Sequence, residues 1–144
     1  MKVQAMLAQK GSRIVTTRPD ATISTAIRML KLEGIGALAV TLDGEHLQGI
    51  ISERDIVRSL VTYGAELLQM RVAELMTAAV KTCTPEDNIK HVMSEMTRSR
   101  IRHLPVMDHG RLCGMISIGD VVKNRLEDLE TEANVLRDYI VARG

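Results

Sequence analysis

Aromatic side chains are nearly missing from this chain, which has two tyrosines, no tryptophan and no phenylalanine. A ring-shaped ligand must then be held by aliphatic side chains and backbone, and stacking platforms for single-stranded nucleic acid are excluded. Nine methionines fill the space that rings would otherwise occupy. Cysteine is scarce too: Cys83 and Cys113 show no CxxC pattern, and no second pair completes a zinc tetrahedron. The four histidines, His46, His91, His103 and His109, have no HExxH or paired spacing. Charge of one sign is not in excess. A formal net charge of +1 argues against a nucleic-acid partner, which calls for a basic surplus. No apolar run approaches the roughly 18 residues of a membrane span, and the longest, Ile35 to Leu42, is broken at Gly36 and Thr41. The Met-Lys-Val-Gln start has no apolar h-region or small-residue cleavage site. The expectation is a cytoplasmic chain with no membrane partner.

What is present suits a folded protein. The chain has 144 residues, 45% hydrophobic and 26% charged, enough for one domain or two small modules. A chain of this length buries about 68–70% of its unfolded surface, so a core forms without staples.

Internal repetition decides the organisation. At an offset of 66, Thr16-Thr17-Arg18-Pro19 falls on Thr82-Cys83-Thr84-Pro85, and Ile23, Ile35, Leu38, Val40 and Gly44 fall on Ile89, Ile101, Leu104, Val106 and Gly110. At an offset of 65, Leu47, Gly49, Ile51, Ser52, Asp55 and Val57 fall on Leu112, Gly114, Ile116, Ser117, Asp120 and Val122. Each copy reads as an extended piece ending at a proline (14–17, 80–84), a helix with apolar residues at helical spacing, a hairpin, and a second helix beginning at Ser52 or Ser117. The hairpin strands are expected at 37–41 and 47–51, and at 103–107 and 112–116. The fold class is therefore α/β, two β-α-β-β-α repeats packed with pseudo-twofold symmetry, with added N- and C-terminal helices. The boundaries expected are 1–69 for the first repeat with its leading helix, 70–125 for the second, and 126–144 for a C-terminal helix. Residues 63–70 read as a linker and 72–76 as a short helix. Val122, Leu126, Leu129, Ala133, Leu136 and Ile140 keep a seven-residue spacing, which suits packing either on the helix's own domain or on a partner subunit.

The strongest local signal is Gly-x-x-Ser-x-x-Asp, present as Gly49–Asp55 and Gly114–Asp120. One reading is a capping box, with the serine accepting the N3 amide and the acid reaching back to the cap amide. The other is a nucleotide half-site. A helix N-terminus and a serine hydroxyl suit phosphate, a carboxylate holds ribose hydroxyls, and the glycine admits a ligand close to the strand. Composition leaves both open.

These motifs, with the Thr-x-x-Pro lead-ins and Arg102-His103-Leu104-Pro105-Val106, resemble a tandem pair of CBS domains (a Bateman module) over about residues 12–125. The resemblance extends to stand-alone bacterial members with leading and trailing helices. It implies that Asp55 and Asp120 hold ribose, that Ser52 and Ser117 contact phosphate, and that Thr16 and Thr82 line adenine pockets. Arg102 and His103 would meet phosphates near the cleft between copies. The function implied is a regulatory sensor of adenine nucleotides (AMP, ADP, ATP or NAD(H)), non-catalytic, homodimeric and acting in trans on an unidentified regulated protein. The alternative is a structural dimerisation module with no physiological nucleotide. The copies differ: Gly36-Ala37 stands where the second has Arg102-His103, and Arg54 stands where it has Gly119. A guanidinium suits phosphate, so the two pockets are expected to be non-equivalent.

Overall fold

In the computed structural model, which describes residues 1–11 and 13–143, the leading segment forms helix α1 (Val3–Lys10), ending at Gly11. Strand β1 (Thr16–Thr17) follows, and Thr22 caps helix α2 (Ile23–Glu33), its hydroxyl accepting the Thr25 amide at 3.2 Å. Ile23, Ala26 and Leu30, at helical spacing, are the buried face of α2. Gly34 closes that helix in the left-handed conformation that glycine adopts without strain. Strand β2 (Ala37–Thr41) is buried throughout because it is central, parallel to β1 on one side and antiparallel to β3 (Leu47–Ser52) on the other. Helix α3 (Glu53–Tyr63) leaves β3 at Ser52.

The expected linker is ordered. It forms a 3-10 helix, Gly64–Gln69, whose Leu67 is buried, and then the short helix α4 (Val72–Leu75). The second copy repeats the plan with α5 (Ile89–Ser99), β4 (His103–Asp108), β5 (Arg111–Ser117) and α6 (Ile118–Arg143). Two differences are physical. The extended piece expected at 80–84 forms only a single parallel bridge, Cys83 with Val106, so this sheet has two strands rather than three. Pro105 stands where Ala39 stands in the first sheet, and it has no N–H with which to extend the ladder past Cys83. The C-terminal helix is the outer part of α6, which runs 26 residues without a break at Arg125.

The two copies are interlocked. Val3, Met6 and Leu7 of α1 are buried in the second repeat's core, with Cys83, Ile89, Val92, Leu104 and Ile116. Val72 of α4 is buried in the first repeat's core, with Leu75 and Met76 packed against it. Backbone bonds fix the exchange: Val3 N donates to Asp87 O and Ile89 N to Met1 O, while Val72 N donates to Ala21 O. Each repeat is completed by a helix that precedes the other in sequence.

The motif glycines serve this exchange. A Cβ on Gly49 would stand 2.6 Å from Met76 Sδ and 2.9 Å from the Thr77 carbonyl oxygen, and one on Gly114 would stand 2.8 Å from Leu7 Cδ2. The close approach at both glycines is therefore to an exchanged helix, where the sequence reading had expected a ligand.

Candidate functional site

The end of β3, the start of α3, the segment 77–81 and the turn between α5 and β4 enclose a cavity of about 750 Å³. That volume is in the range of small-molecule sites. Its lining brings together Ser52, Glu53, Arg54 and Asp55 from one repeat with Arg100, Arg102 and His103 from the other. Arg58, Lys81 and Arg98 add to the rim, giving six cations against the two carboxylates Glu53 and Asp55.

The capping geometry is fully formed in the first repeat. Asp55 N donates to Ser52 Oγ at 3.2 Å, and Asp55 Oδ2 accepts both Ser52 N and Ser52 Oγ at 2.9 Å. The N1 amide of Glu53 is also engaged, donating to Gly36 O at 2.9 Å. Of the first three amides of α3, only that of Arg54 is left for an anion. Asp55 Oδ1 has no hydrogen-bond partner among the described residues. The cap occupies Oδ2 and leaves Oδ1 without a partner among the described residues, so the formed cap does not exclude the second reading of the motif.

The second repeat copies the cap and adds a lysine to the capping oxygen of its carboxylate. Asp120 Oδ2 accepts Ser117 N at 2.9 Å, and Ser117 Oγ accepts Asp120 N at 3.1 Å. Lys10, at the end of α1, places its Nζ 2.6 Å from Asp120 Oδ2 and 2.7 Å from the Met115 carbonyl. At the matching edge of β3, Thr77 N donates to Ile50 O at 2.9 Å. A side-chain ammonium therefore takes the role that a backbone amide takes in the first copy, and pairs with the carboxylate besides. Burial pushes the Asp120 carboxyl up. The Lys10 ammonium and the Ser117 amide outweigh that, so the net shift is downward from 3.8.

His103 stands between the two half-sites. Its ring would lie 3.0 Å from a Cβ on Gly36, so glycine there makes room for the imidazole. Burial, reinforced by the charge of Lys10, lowers its pKa below 6.5, and the carboxylates of Glu53 and Asp120 pull the other way. Neutral imidazole is the result near pH 7. The arginines differ from the remaining cations. Lys81 and Arg98 both reach Glu95, at 3.0 and 3.6 Å. Arg54, Arg58, Arg100 and Arg102 have no carboxylate partner among the described residues. Arg54 Nη1 instead donates to the Arg100 carbonyl at 3.3 Å.

Of the residues expected from sequence, Ser52, Arg54, Asp55, Arg102 and His103 line this cavity. Ser117 and Asp120 lie with Lys10 at the second half-site. Thr16 is half-buried in β1 opposite Ala39, and Thr82 is exposed. Neither threonine lines the cavity, to which the segment before Thr82 contributes Thr77, Ala79, Val80 and Lys81. Sequence reading passed over Arg58, Arg100 and Lys10. The first had a signal, four residues after Arg54 on one helix face. Arg100 also had one, in the alternation Arg98-Ser99-Arg100-Ile101-Arg102. Lys10 had none, because only the helix exchange brings it to Asp120.

No group of three His, Cys, Asp or Glu among the described residues could hold a metal ion. Burial pushes the Cys83 thiol up to about 12 and raises Cys113 as well, so both stay protonated at neutral pH. No helix of the described residues is long and apolar enough to cross a membrane.

The family model for the CBS domain matches residues 11–62 and 72–127. The chain belongs to the CBS-domain family. It is 38% identical over 125 residues to the mitochondrial CBS domain-containing protein CBSX3 of Arabidopsis thaliana, an alignment covering 84% of this chain and 61% of that protein. The crystal structure of the CBS-domain containing protein ATU1752 from Agrobacterium tumefaciens matches with a TM-score of 0.84 at 42% identity, covering 87% of this chain and 99% of that one. The CBS domain pair of protein MJ0100, solved in complex with 5-methylthioadenosine and S-adenosyl-L-methionine, shares the fold with a TM-score of 0.76 at 24% identity, covering 85% and 98%. The two CBS repeats here present one carboxylate held only by its own cap and one whose capping oxygen is also paired with a lysine.

Proposed function

We propose that this CBS pair is a regulatory ligand-sensing module, and that it binds an adenine nucleotide (AMP, ADP, ATP or NAD(H)) in the cleft between its repeats. The observation that carries the reading is the unshared Oδ1 of Asp55 in a cavity of about 750 Å³ whose rim is cationic. A carboxylate oxygen with no partner suits two vicinal hydroxyls, and guanidinium groups suit phosphate. The adenosine-derived ligands of the MJ0100 pair fit the same class. The signal then passes in trans, from a cytoplasmic homodimer to a regulated partner protein. Val57, Leu60 and Val61 on α3 and Val122, Leu126 and Leu129 on α6 are exposed apolar residues on pseudo-equivalent helices, which suits pairing with a second copy.

The formed capping box favours the second reading, a dimerisation module with no physiological nucleotide. Two measurements separate them. The ultraviolet spectrum of the purified protein, with two tyrosines and no tryptophan, shows a bound adenine near 260 nm, and mass spectrometry of the heat-released supernatant names it. Asp55→Asn keeps an acceptor for the Ser52 amide but removes the charge. It is expected to lower adenine-nucleotide affinity at least about tenfold with little change in ligand-free melting temperature. Unchanged affinity, or a melting temperature that falls equally with and without nucleotide, favours the structural module.

A further inference from the structure

Helix α6 outruns the repeat it belongs to. Val121 and Asn124 are buried in it, but every residue from Leu129 to Arg143 is exposed. Helices in proteins draw most of their stability from packing an apolar face, and this stretch has one that its own chain does not cover. Leu126, Leu129, Leu136 and Ile140 are 44–60% exposed, with Ala133 between them at the same seven-residue spacing.

We infer that this part of α6 pairs with the same helix of a second copy as a parallel two-stranded coiled coil, in register from Val122 to Ile140. The inference rests on the homodimer of the proposed function and deepens it, and it does not depend on the nucleotide. The seam continues the α6 face already assigned to a second copy, since Val122, Leu126 and Leu129 belong to both.

Charge selects the occupant and its direction. With Leu126, Ala133 and Ile140 at a and Val122, Leu129 and Leu136 at d, the flanking e positions are Lys123, Glu130 and Arg137. Arg125, Glu132 and Tyr139 take the g positions. In a parallel pair each g residue meets the e residue of the next heptad on the other helix. Arg125 then faces the partner's Glu130, and Glu132 faces the partner's Arg137. Symmetry doubles both contacts, so opposite charges meet at all four places. The antiparallel pair that covers the same stripe sets Val122 against the partner's Ile140, with e against e and g against g. Glu130 then meets the partner's Glu130, Glu132 the partner's Glu132, and Lys123 the partner's Arg137. Like charges at every flank select against that direction. Arg125, Glu130, Glu132 and Arg137 form no ion pair within the chain among the described residues. The stripe is thus complementary to itself, which a two-fold contact between copies requires.

The test is sedimentation equilibrium of the full chain and of Glu132→Arg, Arg137→Glu and the double swap. Both positions are exposed on the outer helix, so the repeats keep their fold, and an unchanged melting transition checks this. The full chain is expected to be a dimer. Each single reversal turns two attractive contacts repulsive and is expected to raise the dimer dissociation constant at least about fivefold. The double swap restores opposite charges and is expected to return it to within about threefold of the parent. Ile140→Cys under mild oxidation is expected to give a disulfide between the two copies of position 140, located by peptide mapping. Antiparallel helices would instead bind more tightly in Arg137→Glu, be indifferent to Glu132→Arg and give no such cross-link. Any of those results overturns the inference. A dimer that ignores all three charge variants leaves the homodimer standing on its repeat faces and overturns the coiled coil. A monomeric full chain overturns both.

Discussion

His103 shows how one side chain can be placed by sequence and explained only by structure. The Arg-His pair marks it as a site residue, yet its surroundings come from four directions: Lys10 on α1, Glu53 on α3, Asp120 on α6 and Arg102 beside it. Burial dominates and lowers its pKa below 6.5. The folded state then binds fewer protons than the unfolded chain between the two values, so stability rises with pH across that window. The contribution is present above about pH 6.5 and is lost as the pH falls through the lowered value. His46, raised by its Asp43 partner, works in the opposite sense and is common to both proteins in the comparison. His103→Gln is therefore expected to gain melting temperature relative to the parent between pH 7.5 and pH 5. Parallel pH profiles for the two proteins would show that the imidazole is not held neutral by the fold. At this scale the capping serines, the paired aspartates and the basic pair were legible, since local geometry fixes what a residue three positions away can reach.

At the scale of elements, the helices and hairpins of both repeats were legible because each has its own apolar period and stop signal. Strand β2 was expected at 37–41 and found there, and Gly34 and Gly11 end helices as glycine does. The missing third strand of the second sheet was not expected, although Pro105 carried the cause. The motif glycines were legible as close-approach positions, but what approaches them was not. The sequence offered a ligand; the fold supplies a helix. A ranking of two substitutions follows. In Gly49→Ala the new methyl meets the Thr77 carbonyl, backbone that cannot swing aside, as well as Met76. In Gly114→Ala it meets only the far end of Leu7, which can change rotamer. Gly49→Ala is expected to cost about 1–3 kcal/mol, and Gly114→Ala clearly less, by chemical denaturation of each variant. Equal costs would mean that the α4 junction yields as readily as a leucine side chain.

For the whole molecule, repetition at offsets of 66 and 65 predicted two like units, but not that each unit borrows a helix from the other's lead-in. Repeats announce themselves by similarity. An exchange between them leaves no mark in a pattern that reads the same either way. The consequence is thermodynamic. Val3, Met6 and Leu7 together bury nearly all of their side chains in the second core. Each such side chain contributes roughly 1.5–3 kcal/mol, so the three amount to a sum comparable with the 5–15 kcal/mol that holds an ordinary domain folded. Removing residues 1–11 is therefore expected to unfold or loosen the second repeat, far from where the deletion stands in the sequence. Helix α4, which leads directly into the second repeat, is buried in the first repeat's core, so the exchange ties the two repeats into one cooperative unit. Heating the full chain in a calorimeter is expected to give one transition with equal calorimetric and van't Hoff enthalpies. The fragment 70–144, which lacks α1, is expected to show no cooperative melt. Two separated transitions in the full chain, or a folded 70–144 fragment, would mean that the exchanged helices decorate the repeats rather than join them.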